Sequence, residues 1–176
     1  MKNIIPFMHK RPSIDKTAYI NPYAIIIGDV RIHAGASLWP GVTIRADDEY
    51  VKIGKNTAIL DRSFIDASRG KPVDIANDVL ISHGALLQGC KIGKGTLIGK
   101  NASVQDGAEI GEESVIVANT YISPDTKIPP RSKVGGVPGT VLGKVTEKEI
   151  FEVRKKHTEI MEKALEYGQW FVAKKI

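Results

Sequence analysis

The amino-acid sequence predicts an all-β solenoid, a left-handed parallel β-helix built from hexapeptide repeats and closed by one C-terminal α-helix. Three observations carry this. Aliphatic residues recur every six positions over most of the chain. A small or β-branched residue stands four positions after most of them. The period then stops at Pro138, shortly before a helix-start signature.

The first hexads place Ile14, Ile20, Ile26, Ile32, Leu38 and Ile44 in series, followed by Ile53, Ile59 and Ile65, then Ile75, Ile81 and Leu87. After one five-residue step the series resumes at Ile92 and runs through Ile98, Val104, Ile110, Ile116, Ile122 and Ile128 to Val134. Neither an α-helix nor an alternating strand has this period. Residues such as Ala24, Ala36, Ser63, Ala85, Ala102 and Ser114 let the chain bend beside each large side chain, and intervening Gly or Asn supplies permissive backbone angles. Three hexapeptides make one triangular coil, and coils stack at the spacing of neighbouring strands, about 4.8 Å.

Two polar segments interrupt the period, Arg45 to Lys52 and Asp66 to Asp74, and both are expected to loop out of the solenoid. After Pro138 comes Thr146-Glu147-Lys148-Glu149, a capping box that starts a helix. Ile150, Val153, His157, Ile160, Met161, Ala164 and Leu165 fall on one stripe at helical spacing, so the helix is expected to pack through that stripe, with His157 covered in it. The predicted organisation is an N-terminal segment over 1–13, the β-helix over 14–138, a linker over 139–145, and the helix with its tail over 146–176.

A chain of 176 residues, 42% apolar, is large enough for one domain with an appendage. One cysteine, Cys90, can form no internal disulfide, which fits a reducing compartment, and the cytoplasm is the expected location. Its place at the short step predicts a small buried corner residue. Residues 1–12 lack the pattern of an export signal, and no apolar run is long enough to span a bilayer. The net charge of +5 gathers near the chain ends, and aromatics, at 6%, form no series with the basic residues. Nucleic acid and membrane are therefore not expected partners.

Gly28-Asp29-Val30, Leu38-Trp39-Pro40-Gly41, Ile44-Arg45-Ala46-Asp47, Asp61-Arg62-Ser63, Ile81-Ser82-His83, Gly89-Cys90, Ile128-Pro129-Pro130 and Gly136-Val137-Pro138 together resemble the γ-class carbonic anhydrases and their near relatives. The resemblance covers nearly the whole length. It implies a homotrimer with three histidines holding a catalytic zinc between subunits. Of those histidine positions only His83 keeps its histidine. The other two are Asp66 and Gln88, and the glutamine usual before the Asp of Asp-x-Ser is Leu60.

Repeat register gives the expected geometry. Arg45, Asp66, Gln88 and Gln105 form one column, each directly after a core aliphatic on the same face, while Asp61 and His83 form another one hexad earlier. Roughly 15 to 20 Å of extended chain separates the columns, so His83 reaches Asp66 and Gln88 only from a neighbouring subunit. A three-fold trimer would bring the columns together, with Asp47 beside them.

His83, Asp66 and Gln88 are thus the candidate metal ligands, and Arg45, Asp47, Asp61 and Gln105 the surrounding polar site. The cofactor is left open: a divalent metal is implied, with zinc disfavoured because Gln88 is a hard neutral donor and Arg45 competes for Asp66. The expected protein is a γ-carbonic-anhydrase-like homotrimer with a degenerate intersubunit metal site and without efficient CO2 hydration. The alternatives are a weak metal-dependent hydratase, an acyl-CoA transferase or thioesterase at the subunit boundary, and a non-catalytic assembly subunit. His33, at a corner, is expected to be exposed and incidental.

Overall fold

The structure is a computed structural model that describes residues 3–174, with side chains described to residue 170. It is a three-sided parallel solenoid. The first face stacks seven parallel strands, Tyr19–Ile20, Ser37–Leu38, Ala58–Ile59, Leu80–Ile81, Leu97–Ile98, Val115–Ile116 and Ser132–Gly136. Gly139–Lys144, the segment expected as a linker, adds to its end as an antiparallel strand before the chain enters the helix Glu147–Lys174.

The hexad register places its aliphatics inward. From Ile26 to Val134 every member of the series is buried, and most have no exposed surface. Ile14 and Ile20, in the first coil, are half-buried and pack against the same core. Each aliphatic lies over its counterpart one coil away, Ile59 on Ile81, Ile81 on Ile98, Ile98 on Ile116. Three positions after most of the aliphatics the backbone is left-handed, as at Asn56, Asp78, Asn101 and Asn119. Arg62, Glu113 and Arg131 take this conformation too, so the corner is not reserved for Gly and Asn.

The segment Arg45 to Lys52 does not loop out. It lies within one continuous strand, Thr43–Ile53, which turns the corner from the second face to the third beside Ile25–Ile32. The register runs Ile27 to Arg45 and Gly28 to Ala46, then jumps to Val30 opposite Val51, so the extra residues form a bulge over 47–50. Local partners hold it down. Lys10 Nζ donates to the carbonyls of Asp47 at 2.6 Å and Asp48 at 2.7 Å, and Arg31 lies 4.7 Å over the Tyr50 ring. Gly28, at φ +83°, is required here because a Cβ would sit 2.1 Å from Ala46 O.

The second excursion leaves the coil over a shorter stretch than expected. Asp66 ends the strand Phe64–Asp66, and Val73–Ile75 restarts the third face, so only 67–72 protrude, closed by a bridge between Ser68 and Lys71.

The helix starts at the capping box: Glu149 N donates to Thr146 Oγ1 at 3.2 Å and Thr146 N to Glu149 Oε2 at 2.9 Å. It packs on the first face, where Ile160 and Met161, together with Trp39 and Leu97, pack against Ala58, Leu60 and Leu80. His157 is half-buried, its Nε2 2.6 Å from Asn56 O. Leu165 is not part of the packed stripe, being 66% exposed. Ala164 takes that contact, and Tyr167, rather than Leu165, joins Tyr19 and Trp39 in an aromatic cluster.

Candidate functional site

On the second face, the residue after each inward aliphatic points out at the corner edge. Arg45 and Gln88 flank Asp66 as its ladder partners in the coils on either side, and Gln105 follows one coil beyond Gln88. Arg45 grips Asp66 with two parallel hydrogen bonds, Nε to Oδ1 and Nη2 to Oδ2, both 2.8 Å. Such a bidentate pair combines charge with fixed geometry. The Asp66 hydrogen bond, then its charge, pushes the Arg45 guanidinium pKa further upward. Asp66 is only 8% exposed, and Asp47 Oδ1 approaches Arg45 Nε at 3.6 Å.

The two glutamines are also engaged. Gln88 Nε2 donates to Ser68 Oγ at 3.1 Å and Gln105 Nε2 to Ser103 Oγ at 2.6 Å. Ser103 was legible in principle, because residues two apart in a strand share a face. Ser68 lies in the excursion, where no period locates it.

At the corner between the first and second faces, His83 Nδ1 lies 2.9 Å from Asp61 Oδ2, and the imidazole is half exposed. A carboxylate only accepts, so Nδ1 is the donor in this contact. His83 and Asp61 stand in one corner column, apart from Asp66 and Gln88. Among the described residues of one chain, no three His, Cys, Asp or Glu side chains are grouped to hold a metal.

Leu60 is 3% exposed and packs beneath the helix with Trp39 and Met161, so it offers the site no polar atom. Cys90 is buried, and its thiol pKa is pushed up to about 12, first by burial and then by the charge of Asp106. It is therefore a protonated core residue. His33 is exposed at its corner. Two concavities of the single chain lie elsewhere, one on the third face around Lys91 and Glu109, the other between the helix and Asn56.

The six-residue period, left-handed corners and stacked parallel coils define a hexapeptide-repeat protein with the left-handed β-helix architecture. The family model described as bacterial transferase hexapeptide (six repeats) matches residues 89–124. A probable carbonic anhydrase of Methanocaldococcus jannaschii is 45% identical over 141 residues, covering 80% of this chain and 89% of that protein. The chain belongs to the γ-carbonic-anhydrase-like family of hexapeptide-repeat proteins.

Gamma carbonic anhydrase 1, mitochondrial, of Arabidopsis thaliana is 36% identical over 97 residues, 52% of this chain and 35% of that protein. The match spans between 35% and 52% of several such curated relatives. Among solved structures, a putative acetyltransferase of Bacillus cereus superposes with a TM-score of 0.93 at 32% identity, covering 95% of this chain and 97% of that one. Among the described residues no helix is long and apolar enough to cross a membrane.

Proposed function

We propose that this protein is a γ-carbonic-anhydrase-like homotrimer whose intersubunit site is degenerate and does not support efficient CO2 hydration. One observation carries the reading: both oxygens of Asp66 are held by Arg45 at 2.8 Å. A catalytic zinc needs three good protein donors and an open fourth position. Here it would find one imidazole, a carboxylate already neutralised, and the neutral amide oxygen of Gln88. The donor set does not fit a hydratase zinc.

The trimer reading rests on the separation of the two columns and on the column beside Arg45, which is mostly apolar with Thr43 and Ser103 interspersed. Ile25 is 37% exposed, and Phe64, Leu86 and Tyr121 are half-buried on the same outer face. Packing that column against the His83 corner of the next subunit would cover it and bring His83 to Asp66 and Gln88. The lone thiol without a pairing partner fits work in a reducing compartment such as the cytoplasm.

The test is elemental analysis of untagged protein, light scattering, and a CO2 hydration assay with and without chelator. The expected result is a trimer with substoichiometric zinc and hydration at background. Stoichiometric zinc with chelator-sensitive hydration would overturn the reading, as would a monomer at micromolar concentration. The structural likeness to a putative acetyltransferase favours a second reading, acyl transfer from coenzyme A at the same subunit boundary. Saturable acetyl-CoA binding by a metal-free trimer would support it. No turnover and no binding would point to a non-catalytic assembly role.

A further inference from the structure

We infer that Arg45 is the resident cation of this site and the residue that keeps a divalent metal out of it. The inference rests on the reading above that the site holds no metal, and adds the residue responsible.

The guanidinium stands between two carboxylates, both oxygens of Asp66 at 2.8 Å and Asp47 Oδ1 at 3.6 Å from Nε. Asp66 is 8% exposed, so water supplies little of the solvation its charge requires, and a buried carboxylate calls for a cation. That cation is fixed by the backbone, because Arg45 and Asp66 are ladder partners in adjacent coils. On the other side of Asp66, Gln88 gives its amide nitrogen to Ser68, which leaves its oxygen as the group it can offer.

Asp47 and Asp66 therefore set two hard carboxylates about the Arg45 guanidinium, with the Gln88 amide on the far side of Asp66. Carboxylate and amide oxygens suit Mn2+, Mg2+ or Ca2+ better than zinc. A divalent ion must displace the guanidinium or endure its repulsion at short range. Without the guanidinium, the buried Asp66 carboxylate would lose the cation that compensates it, since Lys10 Nζ is engaged by the main-chain oxygens of Asp47 and Asp48, and would recruit one from solution.

The test uses the full chain carrying Arg45→Met, Arg45→Lys, or Arg45→Met with Asp66→Asn, titrated with Mn2+ alone by calorimetry and followed by thermal unfolding. Wild type and Arg45→Lys, which retains the charge, should show no saturable site. Arg45→Met should bind one Mn2+ per subunit, at least about tenfold tighter than wild type, with a Tm that rises with Mn2+. The double variant should lose both effects.

A folded Arg45→Met that binds no tighter than wild type would overturn the inference, as would binding that survives Asp66→Asn. Arg45→Met that stays unfolded at millimolar Mn2+ would also overturn it, since a bound cation should replace the guanidinium. Wild type holding stoichiometric zinc would sink this inference together with the reading above. A metal-free wild type beside a metal-free, folded Arg45→Met would sink this inference alone.

Discussion

Replacing Ile98 with alanine tests the stacked core where it is most enclosed. Ile98 has no exposed surface and lies between Ile81 and Ile116 in the neighbouring coils. The change deletes roughly three methylene equivalents, worth about 0.8 kcal/mol each, or about 2.4 kcal/mol of transfer free energy. The strands above and below are pinned by ladder hydrogen bonds, so the site collapses only partly. A residual cavity of roughly 60 Å³ adds about 1.5 kcal/mol. The expected loss is therefore about 4 kcal/mol, within the range of about 2 to 5 for such deletions. In urea unfolding followed by circular dichroism, with a slope of about 2 kcal/mol/M, the midpoint should fall by about 2 M at unchanged slope. Leu165→Ala, at a position 66% exposed, serves as the control and should change stability by no more than about 0.5 kcal/mol. Equal small effects for the two variants would refute the inward register.

Glycine replacements separate backbone strain from steric exclusion. Gly84 and Gly70 are both left-handed, at φ +68° and +71°, but a Cβ at Gly84 would meet Asn101 Oδ1 at 2.3 Å whereas at Gly70 it meets nothing within 4 Å. Gly70→Ala should cost about 1 kcal/mol and Gly84→Ala clearly more, read as urea midpoints; equal costs would contradict the stacked-corner geometry. Cys90, buried and with its pKa near 12, should react with a disulfide reagent at neutral pH only after unfolding, and rapid labelling of the native protein would refute its burial. Glu149 is held below its ordinary 4.5, at about 2, by the hydrogen bond from Lys133 and those from Thr146. A depressed carboxylate pKa gives stability that is present above the unfolded value and lost on acidification. Helix docking should therefore weaken as pH falls from about 4.5 through about 2, and Glu149→Gln should flatten that part of an acid titration of the Tyr167 and Trp39 signals.

Much of the fold was legible because a solenoid is close to one-dimensional: each hexad carries its own instruction for which side chain faces inward. Ile26 through Val134 needed no knowledge of distant residues, and the capping box at Thr146 is equally local. Placing Arg45, Asp66 and Gln88 in one column followed from the same counting. Legibility ended where the period lapsed or where distant partners competed. The bulge at 47–50 stays on the solenoid because Lys10 and Arg31 hold it, and neither residue is near it in sequence. Leu165 belonged to the helical stripe by spacing, yet the helix presents Ala164 and Tyr167 to the coil, a choice made by the shape of Trp39 and Tyr19 beneath.

The sequence by itself thus determined the coil, its core, the two polar columns and the terminal helix, since those depend on spacing along the chain. Only the tertiary structure decided how the columns are used. It closed both bonds of Arg45 on Asp66, turned Gln88 toward Ser68, and sank Leu60 beneath the helix. Those outcomes depend on which of several partners within reach a side chain meets at hydrogen-bonding distance and angle, a contest settled in space and not by position in the repeat.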